Sequence, residues 1–464
     1  MRPEVFLVQT EARYPESLAP TPDGHLSRAL RALWSGWGLD CDNPFKQWVA
    51  PGGRVVIKPN WVMDFHPEGH GLDALITHPA LLAHVVEAAA RALEGHGTIL
   101  IGDAPLQRCD FAALLERSRV GEIVADMKRR YPALNLVVED WRLTILDEDG
   151  RLGTAGQRQR PGYEDLIGDR YLLMDLGRDS FLEEIAEYSD RFRVTCYNPH
   201  LMGEHHQPGK HEYLVTRRVF EADLLINLPK MKTHTKAGLT GALKNLVGIN
   251  GHKEYLPHHI QGSYFEGGDC YSKSNSFARR LESLSDHYWA WHERLSRFKR
   301  SLYRGAMRLL GMASRLTGGD GILGASWSGN ETVWRMTLDL NHLLYFSPQA
   351  PRHVISIVDG IVAGEGEGPL TPSPKPLGFL IAGENPAYID AVVAKLMGYT
   401  LARVPTVYHA LNHRKSRFAG PDLRGWTVTE VADRGQAECV PFERLPNLHF
   451  VKPKHWERAT ARSV

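Results

Sequence analysis

Residues 54–61 read Arg-Val-Val-Ile-Lys-Pro-Asn-Trp, so a short apolar run ends in a lysine, a proline and an asparagine. A second run, Thr-Ile-Leu-Ile-Gly-Asp at 98–103, also ends in a polar residue. Uninterrupted runs of Val, Ile and Leu of this length are typical of strands buried on both faces, as in a parallel sheet. We therefore predict two parallel strands here.

A helix is predicted between these two strands. Thr77 or His78 can cap its first turn, Pro79 suits that turn, and the helix is expected to end near Gly95. Strand, helix and strand within about 50 residues make a βαβ unit. The apolar residues that recur at helical spacing are Leu81, Leu82, Val85, Val86 and Ala89.

Three further apolar runs, at 223–227, 353–359 and 377–382, extend the predicted sheet. A second helix follows them with the same signals, Asn385 as its cap and Pro386 in its first turn. The predicted fold class is therefore α/β, with a doubly wound, mostly parallel sheet as its core. Two insertions interrupt this core, and one of them is predicted to be a long basic amphipathic helix.

Shifts in composition divide the chain into six segments. Residues 141–215 are polar and turn-rich without a clear period, and residues 262–335 begin with a Gly/Ser-rich loop before a helical pattern. The predicted segments are an N-terminal α/β half at 1–140, a polar insertion at 141–215, a core segment rich in lysine and histidine at 216–261, a helical insertion at 262–335, the C-terminal part of the core at 336–400 and a C-terminal extension at 401–464.

The charge and cysteine content exclude several classes of protein. Of 464 residues, 55 are Lys or Arg and 54 are Asp or Glu, so the formal net charge of +1 gives no overall field that attracts nucleic acid. The five cysteines form no Cys-x-x-Cys pair, which argues against a disulfide framework and a thiolate metal site. No apolar stretch is long enough for a membrane span, and the N-terminus lacks a signal-peptide core, so we expect a cytoplasmic protein.

The predicted strands end in reactive residue types. In open α/β sheets, ligands bind beyond the carboxyl ends of the strands. We therefore expect these residues to share one cleft. They are Lys58, Asn60, Asp103, Asn227, Lys230, Asp359 and Glu384.

Basic residues are concentrated at 227–248, which reads Asn-Leu-Pro-Lys-Met-Lys-Thr-His-Thr-Lys-Ala-Gly-Leu-Thr-Gly-Ala-Leu-Lys-Asn-Leu-Val-Gly. Three lysines and a histidine lie at 230–236, where a helix is predicted to begin at Thr235 and to end at Gly248. The free N–H groups of a helix N-terminus, with lysines beside them, make an anion site. The alternative is a solvated basic turn, which we favour for Lys236. The P-loop pattern is absent, so transfer of nucleotide phosphate gains no support.

These positions suggest roles toward an anionic small molecule that carries a carboxylate or phosphate group. Basic and amide groups would hold the anion, and a histidine or a lysine of lowered pKa would move a proton. The candidates for substrate binding are Lys58, Asn60, Asn227, Thr240, Lys244 and Asn245. The candidates for catalysis are His78, Lys230, Lys232 and His234.

Carboxylates offer a candidate metal site. Asp359, Glu365 and Glu367 lie within nine residues, among glycines that permit tight folding of the backbone. Together with Asp103 they supply the oxygen ligands that a hard divalent cation such as Mg²⁺ prefers. The same carboxylates could instead pair with the lysines as a buried ion network, and the sequence leaves both interpretations open.

Together, these motifs resemble the family catalogued as domain of unknown function 362. The resemblance implies an α/β fold and, for some members, iron–sulfur ferredoxin modules. This chain lacks the cysteine-rich module, so no iron–sulfur cluster is expected. The matching motifs are Val-Val-Ile-Lys-Pro-Asn at 55–60, Thr-His-Pro at 77–79, Ile-Gly-Asp-Ala-Pro at 101–105, the stretch at 227–248 and Val-Asp-Gly-Ile at 358–361.

The stretch 291–316 is basic and amphipathic. From Arg294 to Leu316 it has seven basic residues and no acidic one, and its apolar residues recur near helical spacing. Such a helix can pack its apolar face on the core, which is the interpretation we favour. It can instead lie in an anionic membrane interface or contact a protein partner, which would place the protein at the inner face of the membrane.

Two functions therefore remain open. The first is an enzyme that acts on an anionic small molecule in a cleft lined by Lys, His and Asn, with Asp and Glu nearby. The second is a non-catalytic accessory protein that binds an anion or cofactor and docks to a membrane or partner through its basic helix. These residues do not fix a reaction class.

Overall fold

The structure is a computed structural model that describes residues 2–146, 152–154, 168–194, 198–273, 275–319, 324–432 and 435–456. The polar insertion predicted at 141–215 lies partly outside the described residues, as does Cys196. The division of the chain into six segments, and the status of two of them as insertions, stay predictions.

Eleven of the described strands form one large sheet, with the order β18-β17-β1-β16-β15-β11-β2-β3-β4, and β12 and β13 extend from β15. Shorter strands form three small sheets. The strands are β1 (Val5–Gln9), β2 (Arg54–Pro59), β3 (Thr98–Asp103), β4 (Asn135–Asp140), β5 (Thr144–Leu146), β6 (Leu152–Thr154), β7 (Tyr171–Asp175), β8 (Phe192–Arg193), β9 (His206–Gln207), β10 (Lys210–Thr216), β11 (Leu224–Leu228), β12 (Lys230–His234), β13 (Gly238–Thr240), β14 (His259–Ile260), β15 (His353–Glu367), β16 (Thr371–Gly383), β17 (Thr427–Val431) and β18 (Ala437–Pro441).

The centre of the large sheet is parallel, as predicted from the apolar runs. β15, β11, β2, β3 and β4 lie side by side and point in one direction. β16 runs antiparallel to both β15 and β1, so the predicted strand at 377–382 is present but reversed. The sheet is therefore mixed and mostly parallel.

Helices cover both faces of the sheet, which confirms the doubly wound α/β class. Val55 and Ile57 of β2 pack with α2 on one face, whereas Val56 packs with α9 on the other. No described helix is long and apolar enough to cross a membrane. The helices are α1 (His25–Gly36), α2 (Pro79–Ala92), α3 (Phe111–Arg117), α4 (Val120–Arg130), α5 (Pro199–His205), α6 (Ala242–Asn245), α7 (Ser276–Trp291), α8 (Arg297–Leu316), α9 (Val333–Phe346), α10 (Pro386–Leu396) and α11 (Pro405–Asn412).

The two helices predicted from their capping signals are confirmed. His78 is the N-cap of α2, where its Nδ1 accepts a hydrogen bond of 3.1 Å from the Ala80 N–H. Asn385 caps α10 in the same way, through the Ala387 N–H. Pro79 and Pro386 occupy the first turns, where a missing N–H costs no hydrogen bond.

The prediction of a helix from Thr235 to Gly248 is wrong. β12 and β13 form a hairpin there, and only the short α6 and a 3₁₀ turn at Leu246–Ile249 are helical. The spacing of four residues between Thr240 and Lys244 would place them on one face of a helix, but Thr240 lies in β13 and Lys244 in α6. The segment is rich in Thr and Gly, which favour helices weakly, and pairing of β12 with β15 decides its conformation.

The acidic stretch after Asp359 is also extended, not folded into a tight loop. β15 continues to Glu367 and pairs with β16 as far as Thr371. Side chains therefore alternate between the two faces of the sheet along this stretch.

Residues 297–316 form α8, but the apolar residues that the sequence pattern places on its inward face are exposed. Leu302 and Leu309 are 57% and 64% exposed, and in α8 the buried side chains are those of Arg300 and Ser314. The interpretation that we favoured from the sequence is therefore wrong for this helix.

A Gly→Ala pair tests the packing of the parallel core. A Cβ at Gly102 of β3 would lie 2.2 Å from the buried ring of Trp141, whereas a Cβ at Gly121 of α4 meets open space. We expect Gly102→Ala to lower the free energy of unfolding by about 1–3 kcal/mol through overpacking. Gly121→Ala should raise it by about 0.5–1 kcal/mol, because alanine favours the helix. Urea denaturation followed by circular dichroism measures both, and equal stability of the two variants would contradict this packing.

Candidate functional site

The carboxyl ends of the parallel strands carry the polar side chains identified from the sequence, but most of them are buried and none lines the cleft described below. Lys58 of β2 pairs in register with Asn227 of β11, and Asp103 ends the neighbouring β3. Lys58 and Asn227 are fully buried and Asp103 nearly so. Buried polar groups in such positions need partners, because desolvation of an unpaired polar group is costly.

Lys58 and Asp103 form a buried ion pair, with 2.7 Å between Nζ and Oδ1. Asp103 also accepts hydrogen bonds from the Trp61 and Ala104 N–H groups. Burial lowers the pKa of Lys58 and raises that of Asp103, and in each case the partner's charge opposes the shift. A Cβ at Gly248 would lie 2.1 Å from Asp103 Oδ1, so a glycine leaves room for the pair.

Three asparagines extend this ion pair into a hydrogen-bond network. Asn245 Oδ1 accepts from Lys58 Nζ at 3.3 Å and from Asn60 Nδ2 at 2.8 Å, while Asn245 Nδ2 donates to Asn227 Oδ1 at 2.7 Å. Asn227 in turn donates to Ser356 Oγ. The structure thus joins Lys58, Asn60, Asn227 and Asn245. Asn60 Oδ1 is buried without a hydrogen-bond partner among the described residues.

Lys230 belongs to a second network with Asp359 and Tyr14. Lys230 Nζ lies 3.1 Å from Asp359 Oδ2, and the Tyr14 hydroxyl donates to Asp359 Oδ1 at 2.6 Å. The His78 N–H donates to the same carboxylate. Burial lowers the pKa of Lys230, and burial together with Asp359 raises that of Tyr14.

This second network borders a cleft of about 430 Å³. The Tyr14 and His78 rings stack at 3.6 Å between centroids, and Asp73 Oδ1 lies 3.6 Å from His78 Nε2. Tyr14 and Asp73 were not predicted as site residues. Neither follows a strand end or a motif, so the sequence alone holds no signal for them.

His78 is held as a neutral hydrogen-bond donor. Burial lowers its pKa to about 3. Because Nδ1 accepts from the Ala80 N–H, the single proton of the neutral ring lies on Nε2. His234 has the same arrangement, since its Nδ1 accepts from the Lys236 N–H and burial lowers its pKa.

A group of basic residues, here called the basic cluster, surrounds Lys244. Lys244 is partly exposed, and among the described residues it has no hydrogen-bond or ion-pair partner. Burial and the positive charges of Lys253, Lys236 and Lys58 lower its pKa to about 7. The cluster consists of Lys58, Lys232, Lys236, Lys244, Lys253, His234 and His258.

Two other lysines of the basic cluster, Lys232 and Lys253, donate hydrogen bonds to backbone carbonyl oxygens. Lys232 is fully buried and donates to the carbonyl oxygens of Leu75 and Pro369, and burial places its pKa well below the usual range. Lys253 donates to the Ala104 carbonyl oxygen, and burial lowers its pKa to about 8. Thr240, opposite Lys232 in the hairpin, has a buried hydroxyl without a hydrogen-bond partner among the described residues.

The helix N-terminus predicted at Thr235 to bind an anion is absent, and the N-terminus of the shorter α6 already has a carboxylate partner. Asp390 of α10 accepts from the N–H groups of Ala242 and Leu243 at 2.6 and 3.0 Å. Burial raises the pKa of Asp390 to about 7. The backbone of α6 therefore has a carboxylate of the protein where we expected a ligand.

The four carboxylates considered as metal ligands lie apart. Asp103 pairs with Lys58 and Asp359 with Lys230, as described above. Glu365 pairs with Lys375 at 3.0 Å, and Glu367 accepts from the Lys454 N–H at 2.7 Å. Within the described ranges no group of three or more His, Cys, Asp or Glu side chains could hold a metal ion.

Comparison with known proteins gives one family and one distant structure. A sequence model of the family described as domain of unknown function (DUF362) matches residues 55–149 and 179–395. A crystal structure of a protein from Thermotoga maritima, a target of the Northeast Structural Genomics Consortium, is similar with 11% sequence identity and a TM-score of 0.32. The match covers 79% of this chain and 56% of that chain. No curated protein matches the sequence.

The ion pair of Lys58 and Asp103 gives a stability prediction. Lys58→Met leaves a buried carboxylate without its cation, so we expect a loss of about 3–5 kcal/mol in the free energy of unfolding. Lys46→Met is the matched control, because Lys46 pairs with Asp40 at the surface, and it should cause no measurable loss. Equal stability of the two variants in urea denaturation would contradict the role of the buried pair.

Proposed function

Because this chain belongs to the DUF362 family, whose description gives no activity, we propose a function from its own residues: an enzyme that acts on an anionic small molecule at the basic cluster. The molecule would carry a carboxylate or phosphate group. The site would lie at the carboxyl edge of the parallel strands, where open α/β sheets bind ligands.

The observation that supports the proposal is that the charge of Lys244 is not compensated by any described carboxylate. It lies among lysines and histidines, and no carboxylate pairs with it among the described residues. Gathering cations in a partly buried place costs free energy unless a counter-charge is supplied. A bound anion would supply that charge and raise the pKa of Lys244.

Lys244 also has the chemistry of a proton carrier. A lysine with a pKa of about 7 exchanges its proton near neutral pH, and its neutral amine is a base and a nucleophile. In the proposal Lys244 contacts the anionic group, and the buried Lys232 lies behind it, held by two carbonyl oxygens. The unpartnered Asn60 Oδ1 and the Thr240 hydroxyl would orient the rest of the molecule.

The remaining candidate residues lie around the site and would position the groups that contact the molecule. Lys58, Asn227 and Asn245 would position Asn60 through their hydrogen bonds. His234 would donate a hydrogen bond from Nε2, and His78 would act at the adjoining cleft, which it lines. Lys230 does not line that cleft and would act on it through its hydrogen bond to the Tyr14 hydroxyl. A divalent cation such as Mg²⁺, if the reaction needs one, would enter with the substrate's phosphate oxygens, because the four carboxylates lie apart.

The alternative is a non-catalytic protein that binds an anion or cofactor. Both functions need the basic cluster, but only the enzyme changes its ligand. Incubation with a panel of carboxylate and phosphate metabolites, followed by mass spectrometry, separates the two. If the wild type converts a metabolite and Lys244→Met does not, the result supports an enzyme. If the wild type retains a metabolite tightly and leaves it unchanged, the result supports a binding protein.

Sulfate binding tests the anion site directly, because sulfate keeps its charge near neutral pH. We expect calorimetry to detect sulfate binding that weakens as pH rises through about 7, since Lys244 loses its proton there. Lys244→Met should weaken it by about tenfold or more, the loss of one charge-assisted hydrogen bond. Lys128→Met removes an exposed lysine of α4 and should leave it unchanged. Equal sulfate binding by wild type and Lys244→Met would contradict the site.

A further inference from the structure

One row of apolar side chains on α8 faces solvent. Phe298 is 72% exposed, Leu302 57%, Leu309 64% and Leu316 86%, and Met312 is exposed as well. The spacings of three, four and seven residues place them on a single side of the helix. Gly305 lies in the same row, where a Cβ would meet open space. We call these residues the apolar row.

The opposite side of α8 packs on the protein. Arg300 and Ser314 are buried, and a Cβ at Gly311 would lie 3.9 Å from Leu281 of α7. At 100° per residue these positions are about half a turn from the apolar row. The row therefore points away from the body of the protein.

Basic side chains lie along the flanks of the apolar row. Arg304, Arg308 and Arg315 follow one flank, and Lys299 lies on the other. Within the part of the chain that the structure describes, none of these four forms an ion pair. The helix contains no acidic residue.

We propose that α8 lies in the interface of an anionic lipid bilayer, with the apolar row in the acyl region and the flanking cations on the lipid phosphates. An exposed apolar face flanked by Lys and Arg, on a helix that does not span, is the arrangement that binds in the plane of a bilayer. Phosphatidylserine-type headgroups supply the negative charge that the helix itself lacks.

The charge of α8 also decides against a second copy of the chain as the occupant. The alternating spacing of the apolar row would suit a pair of α8 helices. Such a pair would bring the arginine flanks of two identical helices together without an acidic residue between them. Like charges across a helix pair are destabilising.

Vesicle sedimentation of the full chain tests this docking. The probes are vesicles of phosphatidylcholine alone and of phosphatidylcholine mixed with phosphatidylserine. The variant is Leu302→Ser with Leu309→Ser, and the control is Phe265→Ser, which removes an 80% exposed apolar side chain outside α8. Lys244→Met should sediment as wild type does, which keeps the result independent of the proposed function.

We expect wild type and both controls to sediment with the phosphatidylserine vesicles only, and less so as added salt screens the charges. The affinity of the double serine variant for these vesicles should fall by about tenfold or more, since it lacks two leucines that would be buried in the bilayer. Absence of sedimentation with phosphatidylserine vesicles, or equal sedimentation of the double variant, would overturn the proposal. So would a wild-type dimer in analytical ultracentrifugation that the double variant converts to monomer.

Discussion

The cost of burying lysine side chains constrains the whole carboxyl edge of the sheet. An ammonium group removed from water must find a carboxylate, a set of carbonyl oxygens or a lowered pKa. Lys58 is paired with Asp103, Lys230 with Asp359, and Lys232 with two carbonyl oxygens. Lys244 has none of these partners among the described residues, and its pKa falls to about 7. Lys244 is therefore the lysine of this edge whose charge no described residue compensates.

The backbone around this edge is arranged to keep those pairs in place. β12 lies along β15, so Lys230 sits beside Asp359 in the strand register. Gly248 leaves the space that Asp103 and Lys58 fill, and Gly241 does the same for Asp390 beside α6. Side chains at these glycines would collide with buried charged groups. The fold and the electrostatics of the site are thus fixed by the same few contacts.

Local signals in the sequence were sufficient to predict the parallel core of the sheet and the two capped helices. The strand at 54–59, the cap at His78 and the cap at Asn385 each depend on residues within one turn or one strand. The rule about strand ends placed Lys58 and Asp103 at one edge of the sheet, but the sequence left open whether Asp103 binds a metal or pairs with a lysine. Those predictions hold because the decisive interactions are local or set by the sheet itself.

Long-range contacts decided what the sequence could not predict. The hairpin at 230–240 depends on pairing with β15, more than 100 residues away, and a helix predicted from local signals misses that contact. Asp390 caps α6 from a helix that begins at Pro386, so its partner is invisible in its own neighbourhood. Tyr14 reaches Asp359 from an N-terminal loop without any motif. The exposed apolar row of α8 likewise depends on which face α7 covers.

The charge state of Lys244 can be measured in solution. Nuclear magnetic resonance of ¹³C-methylated lysines gives one signal per lysine, and the signal absent from Lys244→Met identifies the residue. We expect this signal to titrate near pH 7 and sulfate to move the midpoint upward, because a bound anion stabilises the ammonium form. A midpoint near the ordinary lysine value of 10.5, or one that sulfate does not move, would contradict this expectation.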